Sequence, residues 1–156
     1  MRILVISDSH GNTRNIERAV ESQPEANIII HLGDGADDIV DLEFVYRDKQ
    51  FYQVAGNCDW GSSLPLEGEL KVADKTIFFV HGHEYRVKTN LQQIKMEARK
   101  RNADIVLFGH THLPITEYDD ELYLLNPGSL QYADGTYGII DITDAGISVQ
   151  IIKFVS

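Results

Sequence analysis

The chain has 156 residues, a single cysteine, and 24 acidic against 14 basic side chains, for a formal charge of −10. The length suits one domain with its own core, so we expect a single domain over residues 1–156. The negative charge opposes binding to long nucleic acids, and no apolar stretch approaches the roughly 20 residues needed to cross a bilayer. The lone Cys58 excludes an intramolecular disulfide. A first strand that starts near Met1 leaves no room for a signal peptide, so we expect a cytoplasmic protein without membrane attachment.

Five short apolar runs predict buried strands, and each run leads directly into polar residues. In chain order the runs are Ile3–Ile6, Ile28–Leu32, Phe51–Ala55, Ile77–Val80 and Ile105–Phe108. The polar residues that follow them are Asp8 and His10, Asp34, Asn57, His81 and His83, and His110 and His112. Because ligands of open α/β sheets collect where such strands end, we expect these side chains to converge on one place.

Helices are predicted between the early strands, and only strands near the C-terminus. Asn12 can cap a helix that runs to about Gln23, and a second helix is predicted over residues 36–46. A third helix is predicted to open with Thr89 and Gln92, which have the spacing of a capping box. Turn signals then separate strand-like runs that we expect to be antiparallel, at Asp74–Lys75, Asp119–Asp120 and Asp144–Gly146.

The residue types at the strand ends favour a site for two divalent cations. A carboxylate such as Asp34 has two oxygens and can bridge two ions. Each short motif taken alone is an ordinary loop, but five of the six histidines directly follow an apolar run. Mixed imidazole and carboxylate ligands favour transition metals over Mg²⁺ or Ca²⁺, so we expect two such ions, Mn²⁺ first and Ni, Co, Fe or Zn as alternatives.

Five ordered blocks resemble the signature of calcineurin-like metallophosphoesterases. The blocks are Asp8-x-His10, Gly33-Asp34, Gly56-Asn57, His81-Gly82-His83 and Gly109-His110-Thr111-His112. The Cys58-Asp59 continuation and the turn Asn126–Ser129 resemble the compact single-domain phosphodiesterase branch of bacteria and archaea. The resemblance implies an α/β fold, a two-sheet β-sandwich flanked by helices in four αββα layers. It further implies one metal held by Asp8, His10, Asp34 and His112, and a second held by Asp34, Asn57, His81 and His110.

The same resemblance implies a metal-dependent phosphoesterase. We expect a phosphodiesterase that hydrolyses a small soluble phosphoester, with a metal-bridging hydroxide as nucleophile. A phosphomonoesterase is an alternative, because both reactions use the same ions. A noncatalytic scaffold of the same fold is a second alternative, although scaffolds such as the retromer subunit lack parts of the ligand set, and every ligand position is filled here. The sequence leaves homo-oligomerisation open.

The residues after Asn57 depart from the pattern of larger relatives, in which Gly-Asn-His-Glu supplies a histidine to the phosphate or the leaving group. Cys58 and Asp59 stand there instead. A thiol is a weak donor, so Cys58 is interpreted as a small buried side chain and Asp59 as a partner that orients a ligand histidine. His83 and Asn57 are the predicted catalytic residues, while the general acid stays open among His83, Asp59, Cys58 and water.

Two further side chains lie outside the predicted ligand set. His31 falls within a buried run and is interpreted as a hydrogen-bonded core histidine. Trp60 follows Asp59 and is either the wall of a pocket or a partly buried ring.

Overall fold

The computed structural model describes residues 1–155, which form ten strands in two five-stranded sheets. The first sheet has the order β10-β9-β1-β2-β3, with β1 at Arg2–Ile6, β2 at Ala26–His31, β3 at Gln50–Gln53, β9 at Thr136–Thr143 and β10 at Gly146–Lys153. The second sheet has the order β4-β5-β6-β8-β7, with β4 at Glu67–Val72, β5 at Lys75–Val80, β6 at Ile105–Leu107, β7 at Ile115–Asp119 and β8 at Leu122–Asn126. Three α-helices accompany them, α1 at Thr13–Ser22, α2 at Val40–Val45 and α3 at Gln92–Lys100.

The alternation of side chains along each strand explains the layering. In β1, Ile3 and Val5 join a core shared by the two sheets, while Leu4 and Ile6 pack against α1 and α2. The outer face of the second sheet packs in the same way against α3, through Ile94 and neighbouring residues. Both faces of the central strands are covered, which is why their sequences are apolar without interruption. The expected four-layer αββα sandwich is confirmed.

Strand direction brings the polar loops to one end of the sandwich. β1, β2 and β3 are parallel neighbours, and β5, β6 and β8 form a second parallel group. The loops that follow β1, β2 and β3 therefore leave the same edge of the first sheet, and the loops that follow β5 and β6 leave the same edge of the second. The antiparallel pairs predicted from turn signals are also confirmed, as β4 with β5, β7 with β8 and β9 with β10.

All three predicted helices are present, but the ends of two of them differ from the prediction. The Asn12 side chain caps α1 by accepting a hydrogen bond from the backbone N–H of Asn15. The capping box at Thr89 is wrong, because α3 starts at Gln92 and its N–H donates to the side chain of Asn90 instead. The second helix is shorter than the predicted range 36–46, because the loop before it is bound to the neighbouring strand-end loop. Within residues 1–155 no helix is long and apolar enough to span a membrane.

Candidate metal centre

The backbone of the strand-end loops is strained at the predicted ligands. Five of them have a left-handed φ between 44° and 70°, and these are Asp8, His10, Asp34, His110 and His112. Such a conformation costs a side-chain-bearing residue on the order of 1–3 kcal/mol and persists only where the surroundings enforce it. Clustering of this strain at chemically active residues is typical of a functional site.

Two glycines allow the loops after β2 and β3 to touch. A Cβ atom on Gly56 would lie 2.1 Å from Oδ1 of Asp34, and one on Gly33, whose φ is +108°, would lie 2.7 Å from the backbone nitrogen of Gly56. Only glycine fits at such close backbone approach. The Gly-Asp and Gly-Asn pairs of the sequence therefore place Asp34 beside Asn57.

Asp8 presents one carboxylate oxygen with no hydrogen-bond partner. Its Oδ2 accepts hydrogen bonds from Ser7 Oγ at 2.5 Å and from the backbone N–H of His110 at 3.1 Å. Its Oδ1 is buried and accepts none within residues 1–155. The nearest imidazole nitrogen is Nε2 of His112, 3.1 Å away, with Nε2 of His10 at 3.8 Å. A buried anionic oxygen that faces imidazole nitrogens fits a bound cation.

Asp34 is fixed in an orientation that leaves its other oxygen among imidazoles. Its Oδ1 accepts the N–H of Cys58 at 2.8 Å, while its Oδ2 lies 3.3 Å from Nε2 of His81 and 3.7 Å from Nε2 of His10. Burial raises the pKa of this carboxyl, but the neighbouring imidazole of His81 and the hydrogen bond from the Cys58 N–H hold it well below its usual range. Asp34 is therefore ionised at neutral pH, as a metal ligand must be.

The tautomer of His81 follows from its surroundings. Its Nδ1 lies 2.8 Å from the carbonyl oxygen of Leu32, so Nδ1 carries the proton and donates it. Its Nε2 lone pair then faces Oδ1 of Asn57 at 2.9 Å and Nδ1 of His110 at 3.2 Å. Burial and then the proximity of His81 lower the pKa of His110 to about 4. His110 is therefore neutral at neutral pH, the form that binds metals.

The potential ligand atoms form compact groups. Those of each group lie within 4.8 Å of one another, and two groups are Asp8 with His10 and His112, and Asp34 with His81 and His110. Asn57 adjoins the second group through His81. The structure thus brings together all seven residues named as ligands from the sequence, in two adjoining groups.

Cys58 and Asp59 differ from their interpretation by sequence. Cys58 is exposed and not buried, and its thiol lies in a third group with His10 and Asp34. Partial desolvation of the sulfur, and then the charge of Asp34, raise the pKa of this thiol above its usual value, so it stays protonated. Among residues 1–155, no histidine is hydrogen-bonded to Asp59. Asp59 instead accepts four backbone N–H groups, from Asp34, Gly35, Ala36 and Gly56, at 2.7–3.0 Å.

His83 borders the imidazole group. Its ring centroid lies 5.5 Å from that of His81 and 6.1 Å from that of His110. Its Nδ1 is buried and has no hydrogen-bond partner within the described residues. Burial and the nearby His81 lower the pKa of His83, which is therefore neutral at neutral pH.

His31 lies in the core as expected, with Nδ1 accepting the N–H of Gly33 at 3.1 Å and Nε2 2.9 Å from Ser9 Oγ. Its burial lowers its pKa to about 4. Sequence reasoning missed Asp38, which binds both Ser9 Oγ and the N–H of Gly11. No sequence signal distinguishes Asp38 from its acidic neighbours.

The turn after β8 is hydrogen-bonded to two of the loops that carry predicted ligands. The side-chain amide of Asn126 donates to the Gly109 carbonyl at 3.1 Å and to Thr111 Oγ1 at 2.9 Å. Ser129 Oγ donates to the carbonyl of Asp8 at 2.8 Å. The Asn-Pro-Gly-Ser motif therefore fixes two loops at once.

The chain is similar to known phosphoesterases over most of its length. Residues 1–145 match the family model of the calcineurin-like phosphoesterase superfamily domain. The probable metallophosphoesterase YsnB of Bacillus subtilis is 32% identical over 133 residues, which cover 84% of this chain and 76% of the relative. A phosphodiesterase of Methanocaldococcus jannaschii is 29% identical over 160 residues, covering 90% and 93%. The crystal structure of a predicted phosphoesterase from Streptococcus pneumoniae has a TM-score of 0.82 and 25% identity, covering 97% of this chain and 88% of that one.

Proposed function

The chain belongs to the calcineurin-like phosphoesterase superfamily, and we propose that it is a phosphodiesterase that uses two divalent metal ions to hydrolyse a small phosphoester. The observation that carries the proposal is the buried Oδ1 of Asp8, which has no hydrogen-bond partner among residues 1–155 and faces the imidazoles of His10 and His112. The name of the archaeal relative supports diester hydrolysis. We further propose that residues 1–156 act as one domain in the cytoplasm.

The ligands are assigned from the two groups of facing atoms. One ion would be held by Asp8, His10, Asp34 and His112, and the other by Asp34, Asn57, His81 and His110. Asp34 would be the shared ligand, because its Oδ2 lies 3.7 Å from Nε2 of His10 and 3.3 Å from Nε2 of His81. Mn²⁺ is the expected metal, since the mixed donors are borderline in softness. When bound, two such ions neutralise charge on the phosphoryl oxygens and lower the pKa of a water.

The protein groups around the ions have separate tasks. The Leu32 carbonyl holds the proton of His81 on Nδ1 and keeps Nε2 free for coordination. His83 is neutral and half-buried beside the imidazoles, where a ring N–H can donate to a phosphoryl oxygen or to the leaving oxygen. Asp59 is not available as a general acid, because both of its oxygens accept backbone N–H groups. Proton donation to the leaving group therefore falls to water or to the fraction of His83 that is protonated.

The experiment compares two substrates on protein of known metal content. Chelator treatment, verified by elemental analysis, should abolish hydrolysis of bis-p-nitrophenyl phosphate, and Mn²⁺ should restore it together with two ions per chain. The diester should be hydrolysed faster than p-nitrophenyl phosphate. Faster monoester hydrolysis would make the protein a phosphomonoesterase. Two bound ions with no hydrolysis of either compound would indicate a scaffold.

A further inference from the structure

Trp60 is a large aromatic side chain with almost no packing of its own. It is 90% exposed, although it directly follows Asp59, which fixes two of the ligand loops. Gly61, with φ of +73°, continues the turn. Exposure of an indole this large leaves both faces of the ring open to a partner. Of the two interpretations by sequence, the pocket wall fits and the partly buried ring does not.

A cavity of about 570 Å³ opens beside the indole. Its lining includes Trp60, Ser62 and Ser63, together with Asp37, Cys58 and Asp59. The last three also line a smaller cavity of about 190 Å³ that reaches His10 and Asp34. The two cavities thus form one groove from the metal ligands to Trp60, with a volume in the range of small-molecule sites.

The charge of the groove limits what it can hold. In the part of the chain that the structure describes, the residues that line the larger cavity include aspartates but neither lysine nor arginine. The charge of Asp59 is taken up by four backbone N–H groups, whereas Asp37 is exposed. A second phosphate or a carboxylate would therefore be repelled. A flat, uncharged group with polar edges would stack on the indole and reach the serines.

We propose that this groove takes the nucleoside of a nucleotide phosphodiester, with its base stacked on Trp60 and its phosphate at the metal ligands. The inference rests on the proposed function, because the metal centre anchors the phosphate. Stacking on an aromatic side chain tolerates every base, so the groove selects for a nucleoside rather than for one base. Trp60 is the specificity-determining residue.

Trp60 is the only tryptophan of the chain, so it reports its own contacts by fluorescence. Protein loaded with Zn²⁺, a closed-shell ion, is titrated with thymidine 5′-phosphate and, in parallel, with ribose 5-phosphate. The nucleotide should quench the emission saturably after correction with free tryptophan, and the sugar phosphate should not. Absence of a saturable change with the nucleotide, or an equal change with both, overturns the proposal.

Kinetics on two diesters with one leaving group give the second test. Trp60→Ala should lower kcat/KM about tenfold, mostly through KM, for the p-nitrophenyl ester of thymidine 5′-phosphate. The methyl p-nitrophenyl diester should be unaffected, and Trp60→Phe should keep most of the activity on both. Phe44→Ala is the matched control, because Phe44 is 67% exposed and lies outside the cavity. Equal losses on both diesters, or none on either, overturn the proposal.

The two tests separate this inference from the proposed function. If the metal-loaded wild type hydrolyses neither diester, the proposed function fails. The fluorescence titration still decides whether a base stacks on Trp60, because it needs binding and no turnover.

Discussion

The two sheets contribute different chemistry to the candidate metal centre. Loops of the first sheet carry both aspartates, and loops of the second carry three of the four imidazoles assigned as ligands. The aspartates are buried, whereas His110 and His112 are half-buried. The carboxylate side is also fixed more firmly, since the Asp34 carboxylate and the loop around it are bound by backbone N–H groups. The loop that carries His110 depends on the carboxylate side for its position, because the backbone N–H of His110 donates to Asp8.

This difference suggests that the loops with the aspartates form the frame of the site and that the histidines complete its set of ligands. The loops of the first sheet are held by hydrogen bonds to the oxygens of Asp8, Asp34 and Asp59. The histidines supply nitrogen atoms but have fewer contacts that fix them. We therefore expect changes on the carboxylate side to damage both metal positions, and changes on the imidazole side to damage one.

The largest expected effect is that of Asp34→Asn, which removes the charge that we propose is shared by both ions. It should lower kcat/KM for bis-p-nitrophenyl phosphate by roughly 1,000-fold or more, because stabilisation by two ions is worth several kcal/mol. Elemental analysis should show weaker binding of both ions, with a melting temperature near that of the wild type under chelator. Asp41→Asn, an exposed change on α2, is the control. Wild-type turnover with two ions bound would remove Asp34 from the bridging position.

His110→Ala should have the next largest effect, a loss of about 100-fold, because it removes one nitrogen ligand from one group. His112→Ala is its counterpart in the other group. Each variant should retain one tightly bound ion, as measured by elemental analysis after dialysis. Loss of both ions from either variant would contradict the contrast between the two sides.

Asp59→Asn tests whether the carboxylate side is held by its hydrogen bonds. The amide keeps one acceptor oxygen but loses the charge that gathers four backbone N–H groups. Metal affinity should fall about 10- to 100-fold, while kcat at saturating metal should stay near that of the wild type. Asp120→Asn, in the turn between β7 and β8, is the control. A fall in kcat at full metal loading would instead indicate that Asp59 takes part in the chemistry.

Cys58→Ala should have the smallest effect, within about threefold on diesters with activated leaving groups. The thiol is exposed and protonated, and thiols are weak donors. A general acid at this position would instead contribute about 100- to 10,000-fold, and more on poor leaving groups. The measurement is kcat/KM over diesters of graded leaving-group pKa, with metal content checked. A loss of that size with both ions retained would make Cys58 catalytic.

The sequence predicted the strands and the convergence of the ligands because both depend on periodic patterns, whereas the two-sheet sandwich was implied by the resemblance to the family. Apolar runs of strand length, each followed by polar residues, decide which loops lie next to one another, whatever path each loop then takes. The exposure of Cys58 and the role of Asp59 depend on the backbone path through a glycine-rich loop, which carries no period. The same reason explains Asp38, whose contacts with Ser9 and Gly11 cross between loops. The predicted start of α3 was wrong because the N–H of Gln92 donates to the side chain of Asn90 and not to that of Thr89.

The left-handed ligand residues place stability and activity in opposition. His112→Gly would relax a backbone with φ of 62°, whereas His112→Ala would keep that strain, and both variants lose the same imidazole. The metal-free glycine variant should therefore be more stable than the alanine variant by up to about 1 kcal/mol. Selection for thermostability alone would replace these residues one after another. Their presence in a strained conformation indicates that these positions are retained for function at a cost in folding stability.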